Sequence, residues 1–167
     1  MNINFEYIKT LIRSNEIDQI VTMCKQLDQK DLEIVEEQLI HELKCTGDGN
    51  YRNTTAIILS DLKCDKAVEI LVELIDAPQN RNNRGALIYA LEGLNCENVL
   101  KNLIHLFFDG NYEVKWNMYH LLKEKFKSMS DADQTECINI LRTEKGKIEE
   151  TLEFLEELEE NVFCNEA

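Results

Sequence analysis

The sequence predicts an all-α protein assembled from repeated helix pairs, on three observations. Apolar residues recur at steps of three and four nearly everywhere, while sustained period-two alternation is absent, so helix follows helix without strands. The chain also matches itself at an offset of 32 residues: Arg52, Leu59, Leu62, Cys64, Leu71 and Leu74 fall on Arg84, Leu91, Leu94, Cys96, Leu103 and Leu106. Finally, 167 residues of 19.5 kDa make one ordinary domain, long enough to bury roughly two thirds of its unfolded surface without disulfides or metals.

Turn signals set the elements in order. A helix over 3–13 closes at Ser14-Asn15, and one over 16–27 at the stretch from Asp28 to Asp31. The next, over 31–44, ends before Thr46-Gly47-Asp48-Gly49-Asn50. Helices over 51–62 and 65–76 flank Lys63-Cys64-Asp65, and Ala77-Pro78-Gln79-Asn80 closes the second of them. Helices over 81–94 and 97–108 flank Asn95-Cys96-Glu97 and stop at Asp109-Gly110-Asn111. A helix over 112–127 ends at the stretch from Ser128 to Asp133, and Lys145-Gly146 is expected to separate 131–143 from 147–161. No connection is long enough to divide domains. Residues 1–167 therefore form a single domain, with N-terminal helices over 1–45, the clearest repeats over 46–127 and an acidic cap over 128–167.

Each repeat is a helix, a short turn carrying Cys64 or Cys96, then a second apolar helix ending at Asp76 or Asp109. A lone helix pair has two apolar faces and covers only one by itself, so stacked copies must share a core. In a third copy Val114-Lys115 takes the place of Asn83-Arg84. Leu74-Ile75-Asp76, the run Arg84-Gly85-Ala86-Leu87-Ile88-Tyr89-Ala90-Leu91, and Phe107-Phe108-Asp109 before Val114-Lys115 resemble the HEAT-repeat family, especially its short bacterial kind. The resemblance covers roughly residues 40 to 126 and implies a right-handed α-solenoid. The proline often found in the first helix of such repeats is absent, which implies straighter helices.

Composition narrows the function. Hydrophobic residues at 44%, charged residues at 30% and the single proline Pro78 exclude collagen-like, low-complexity and wholly disordered chains. The net charge of −14 and pI near 4.6 disfavour a grip on nucleic acid phosphates or an anionic membrane and favour a basic protein partner. Met1 to Glu6 lacks a basic then apolar leader, and no apolar run approaches a spanning helix, so a cytoplasmic location is expected. The six cysteines, spaced without a CxxC pair, read as reduced packing thiols and not as bridges or zinc ligands.

No catalytic, metal or cofactor constellation emerges. His41-Glu42 is one His-Glu dipeptide, and neither His105 nor His120 precedes a Glu, so the several dipeptides of HEAT-like metal hydroxylases are not matched. Trp116, Asp109 and Arg84 caricature the set used by HEAT-like DNA glycosylases. Residues 50–126, however, hold nine basic and ten acidic side chains, which gives no phosphate-tracking excess. No GxGxxG, GxxxxGK[ST] or GxSxG stretch occurs.

Three sets of residues are candidates for partner binding. Tyr112, Trp116 and Tyr119 lie at i, i+4 and i+7 on one face of their helix, opposite Val114, Met118, Leu121 and Leu122. That aromatic face is either buried against a neighbour or an interface anchor. The last 24 residues carry −7, half the net charge. There Ile148, Leu152, Leu155, Leu158 and Val162 form a stripe, with Glu153, Glu156, Glu157 and Glu160 on the other side as a carboxylate surface. Polar positions turned from the apolar stripes of the second helices are Glu33, Glu37, Glu69, Glu73, Asn102 and His105. Within the resemblance, the chain is similar to small acidic immunity proteins of bacterial toxin systems. This implies binding to a basic, nuclease-type toxin domain by a monomer or weak dimer. A general scaffold or adaptor is the first alternative, and a HEAT-like metal-dependent hydroxylase or DNA glycosylase the second.

Overall fold

The computed structural model describes residues 4–159. The helices are α1 Phe5–Arg13, α2 Ile17–Cys24, α3 Gln29–Cys45, α4 Gly49–Asp61, α5 Val68–Asp76, α6 Gly85–Leu91, α7 Leu100–Leu103, α8 Leu106–Asp109, α9 Tyr112–Lys125 and α10 Asp131–Leu158. Short 3-10 turns lead into α5 and follow α5 and α9. The fold is all-α, with no strand among the described residues.

The turn residues read from the sequence act as caps. Asp28, Asp48, Asn111 and Ser130 each accept a hydrogen bond from a backbone N–H of the first turn they precede. Orphan donors that would otherwise destabilise α3, α4, α9 and α10 are satisfied in this way. After α4, Lys63 takes a left-handed conformation, φ 60°, which lets the N–H of Cys64 reach back to the carbonyl of Leu59 at 3.0 Å and end the helix.

The packing centres on a row in which α4 lies against α6 and α6 against α9, with α1, α2 and α3 gathered on α4, α5 on α6, α8 on α9, and α10 on α7. Leu59, Leu91, Leu71 and Leu103 are fully buried at their 32-residue offset, as are Cys64 and Cys96 to within 3%. Bonds between successive units span 30 to 32 residues. Lys63 donates to the carbonyl of Gly93, Asn117 to that of Gly85, and Lys125 to that of Leu94 at 2.8 Å. Close approach makes glycine necessary at Gly93, where a Cβ would run into the hydroxyl and carbonyl of Ser60 on α4.

Three expected elements differ. The helix expected over 97–108 is broken into α7 and α8. His105 Nδ1 donates to the carbonyl of Asn102 at 2.9 Å and competes for the acceptor that a continuing α-helix would use. The helix expected over 81–94 is shortened to α6, because its start is taken up by the turn in which Asn83 bonds back to Asn80. The separation at Lys145-Gly146 does not exist: α10 runs unbroken through it. One glycine costs a helix only about 1 kcal/mol relative to Ala, and the spanning pairs Lys145–Glu149 and Glu144–Lys147 offset part of that.

Candidate protein-binding surfaces

The polar positions of the second helices are all exposed: Glu33 and Glu37 on α3, Glu69 and Glu73 on α5, Asn102 on α7, and His105 between α7 and α8. Glu33 shares a pocket with Glu36, Lys63 and Lys66 ahead of α5, and His105 Nε2 lies 3.8 Å from Asp76 at the end of α5. Glu37 also lines a cleft of about 570 Å³ between α1 and α3, with Phe5, Ile34, Gln38 and His41.

Glu42 closes the floor of that cleft and accounts for the His-Glu dipeptide. Its carboxylate accepts from Lys9 at 2.8 Å and from the Tyr51 hydroxyl at 3.1 Å. The bond from Lys9, above all, holds the Glu42 carboxyl below the usual carboxylate range and lifts the Lys9 ammonium above its own. Burial, with the Glu42 charge beside it, pushes the Tyr51 phenol up to about 12. Glu42 is thus committed to structural partners. Among the described residues no group of three His, Cys, Asp or Glu is gathered to hold a metal.

The aromatic face of α9 is open. Tyr112, Trp116 and Tyr119 are 80%, 52% and 50% exposed. Their rings are stacked, with centroids 6.3 Å apart for Tyr112 and Trp116 and 6.1 Å for Trp116 and Tyr119, and the His120 ring meets Trp116 edge-on at 4.7 Å. The aliphatic face, Val114, Met118, Leu121 and Leu122, is buried. A solvent-facing stack of this size is an uncommon way to spend aromatic surface on a monomer.

The acidic end behaves differently from the cap expected there. Glu153, Glu156 and Glu157 are exposed, while Glu160, Val162 and Cys164 lie outside the described residues. The apolar stripe is not covered: Ile148, Leu152 and Leu155 are 60%, 52% and 54% exposed. Because Gly146 does not break the helix, residues 144–158 continue α10 without interruption.

The 32-residue offset pairs two arginines to which the sequence reading gave no shared role, and both are buried. Arg52 and Arg84 are 7% and 5% exposed. Arg52 donates to Asn80 Oδ1 at 2.7 Å and Arg84 to Asp109 Oδ1 at 3.4 Å, each tying a first helix to the end of a second one. Their equivalence at the 32-residue offset was the available signal, and it reports packing. In comparisons with known proteins, no family model, curated protein or solved structure matches this chain. No helix among those described is long and apolar enough to cross a membrane.

Proposed function

We propose that the chain is a non-catalytic protein-binding module, a right-handed α-solenoid of HEAT-like pairs that takes a basic protein partner on its second-helix surface. The observation that carries this reading is the group of exposed carboxylates Glu33, Glu37, Glu69 and Glu73 on α3 and α5. Unlike Glu42, Glu37, Glu69 and Glu73 are held by no lysine or arginine within ion-pair distance among the described residues. Such a surface steers a cationic protein and repels an anionic one. The resemblance to acidic immunity proteins makes a basic nuclease-type toxin domain the proposed partner, since enzymes that grip phosphates carry the complementary charge.

The test is association kinetics with basic nuclease toxin domains, comparing the native chain with Glu37→Gln, Glu69→Gln, Glu73→Gln combined. The triple variant is expected to slow association about tenfold at low salt and to flatten its salt dependence, with dissociation changed less. Failure of every such domain to bind, or binding indifferent to the triple variant, refutes the reading.

A further inference from the structure

The exposed face of α9 occupies a defined place in the row. Gly85 and Ile88 on α6, and Glu92 directly after it, lie on the side that meets α9. Asn117 donates to the Gly85 carbonyl at 2.9 Å and Glu113 packs against the Gly85 Cα. Ile88 is fully buried, and the Glu92 carboxyl, raised above its ordinary value chiefly by burial, lies near His120, Glu124 and Lys125. With the one-residue shortening that puts Val114-Lys115 in place of Asn83-Arg84, those three positions become Trp116, Tyr119 and Lys123 on α9. The aromatic stack therefore stands where a further first-position helix would pack. Among the described residues no helix fills that place.

A helix suited to that place exists in the same chain. Ile148, Leu152 and Leu155 repeat the i, i+4, i+7 spacing of Tyr112, Trp116 and Tyr119, and all six are at least half exposed. The charge available beside the two stripes differs in sign: exposed Lys115 and Lys123 border the α9 stripe, where Glu113 is turned to Gly85, while exposed Glu153 and Glu156 lie beside the α10 stripe, where Lys145 is already paired with Glu149. Yet the helix cannot reach its own α9. Lys101, bonded to Asp133 at 2.8 Å, and the buried Cys137 anchor its first two turns. From Cys137 to Leu155 the unbroken helix leads away by about 27 Å at 1.5 Å per residue.

We propose that residues 144–158 of α10 dock on the α9 aromatic face of a second copy of this chain, each copy giving and receiving one helix. The arrangement closes under two-fold symmetry, so it stops at a dimer. It covers both uncovered apolar stripes at once and pairs lysine with glutamate along their edges. It goes beyond the basic-partner reading and is independent of it, since Glu37, Glu69 and Glu73 take no part.

Sedimentation velocity on the full chain over a range of micromolar concentrations, read together with the emission of Trp116, the one tryptophan, tests this. The expected result is a dimer, twice the 19.5 kDa of one chain. Trp116→Ala with Tyr119→Ala, or separately Leu152→Glu with Leu155→Glu, should weaken it about tenfold or more while far-ultraviolet dichroism stays helical. Lys115→Glu with Lys123→Glu should weaken it too, and adding Glu153→Lys with Glu156→Lys should restore it. A monomer at all concentrations with Trp116 emission indifferent to Leu152→Glu overturns the proposal. So does a dimer that survives both apolar variants. A monomer whose Trp116 emission shifts to the red on Leu152→Glu also overturns it, because the helix is then folded back within one chain.

Discussion

The helices of residues 49–125 and of residues 144–158 both carry aliphatic residues at three- and four-residue steps, yet only the first region buries them. In the middle of the chain the aliphatic stripes meet neighbours at a fixed offset, so Leu59 and Leu91 reach zero exposure. In the second half of α10 the same pattern faces water, with Leu152 and Leu155 more than half exposed. Periodicity therefore reports that a stripe exists. Only repetition of the unit reports that a second stripe is waiting to cover it. Residues past the last repeat inherit the pattern without the neighbour.

The largest effect expected from this difference is on stability. Leu91→Ala leaves a cavity in the core at the end of α6 and should cost about 2 to 5 kcal/mol in urea unfolding. Leu152→Ala, on the uncovered stripe, should stay within about 0.5 kcal/mol for the monomer. Equal losses would abolish the distinction and place Leu152 in the core.

Thiol chemistry separates buried from open positions next. Burial raises the Cys64 and Cys96 thiols to about 11, and both are closed to solvent. Cys45, exposed at the end of α3 and 3.8 Å from the His41 ring, should react with an aromatic disulfide reagent at pH 8 about a hundredfold faster than either. Mass mapping of the labelled peptides reads the order. Prompt labelling of Cys96 would mean that the α6 unit opens readily.

Much of this organisation was legible in the sequence, for a physical reason: caps and turns are local. Asp48 and Asn111 announce helix starts because their side chains serve backbone groups two or three residues away. The repeat was legible because burial is imposed on equivalent residues twice. What escaped is non-local or nearly balanced. The break between α7 and α8 depends on one histidine choosing a backbone carbonyl. The continuity of α10 depends on a penalty of about 1 kcal/mol at Gly146, too small to end a helix yet read as a turn from residue type alone. The exposure of the Trp116 face was undecidable from its pattern, because a stripe of Tyr and Trp looks the same with or without a neighbour.

Two glycines then sharpen the comparison through one substitution with opposite signs. Gly93→Ala forces a Cβ against Ser60 and should cost about 1 to 3 kcal/mol. Gly146 has no neighbouring atom within 4 Å, so Gly146→Ala only removes a helix penalty of about 1 kcal/mol. The gain should appear as slower amide exchange over residues 144–158 with the urea midpoint unmoved, because this stretch opens without the core. A shifted midpoint would show the two regions to unfold as one.

The smallest effect concerns a carboxylate with partners against one without. Glu42 accepts from Lys9 and Tyr51, whereas Glu153 on α10 has no lysine or arginine in contact among the described residues. The Glu42 carboxyl is held below its ordinary value, chiefly by the Lys9 hydrogen bond. Folding therefore favours the charged form. Its contribution is complete above the unfolded carboxylate range near pH 4.5 and is lost as the pH falls through the depressed folded value. Because the pair is partly solvated, the amount at stake is on the order of 0.5 to 1 kcal/mol. Glu42→Gln should lower stability by that amount at pH 7 and by almost nothing at pH 3, so the two unfolding curves converge in acid. Glu153→Gln should leave the curve of the native chain unchanged at both pH values. Convergence for Glu153→Gln instead, with none for Glu42→Gln, would mean that the acidic helix and not the α1–α3 cleft holds the charge-dependent part of the fold.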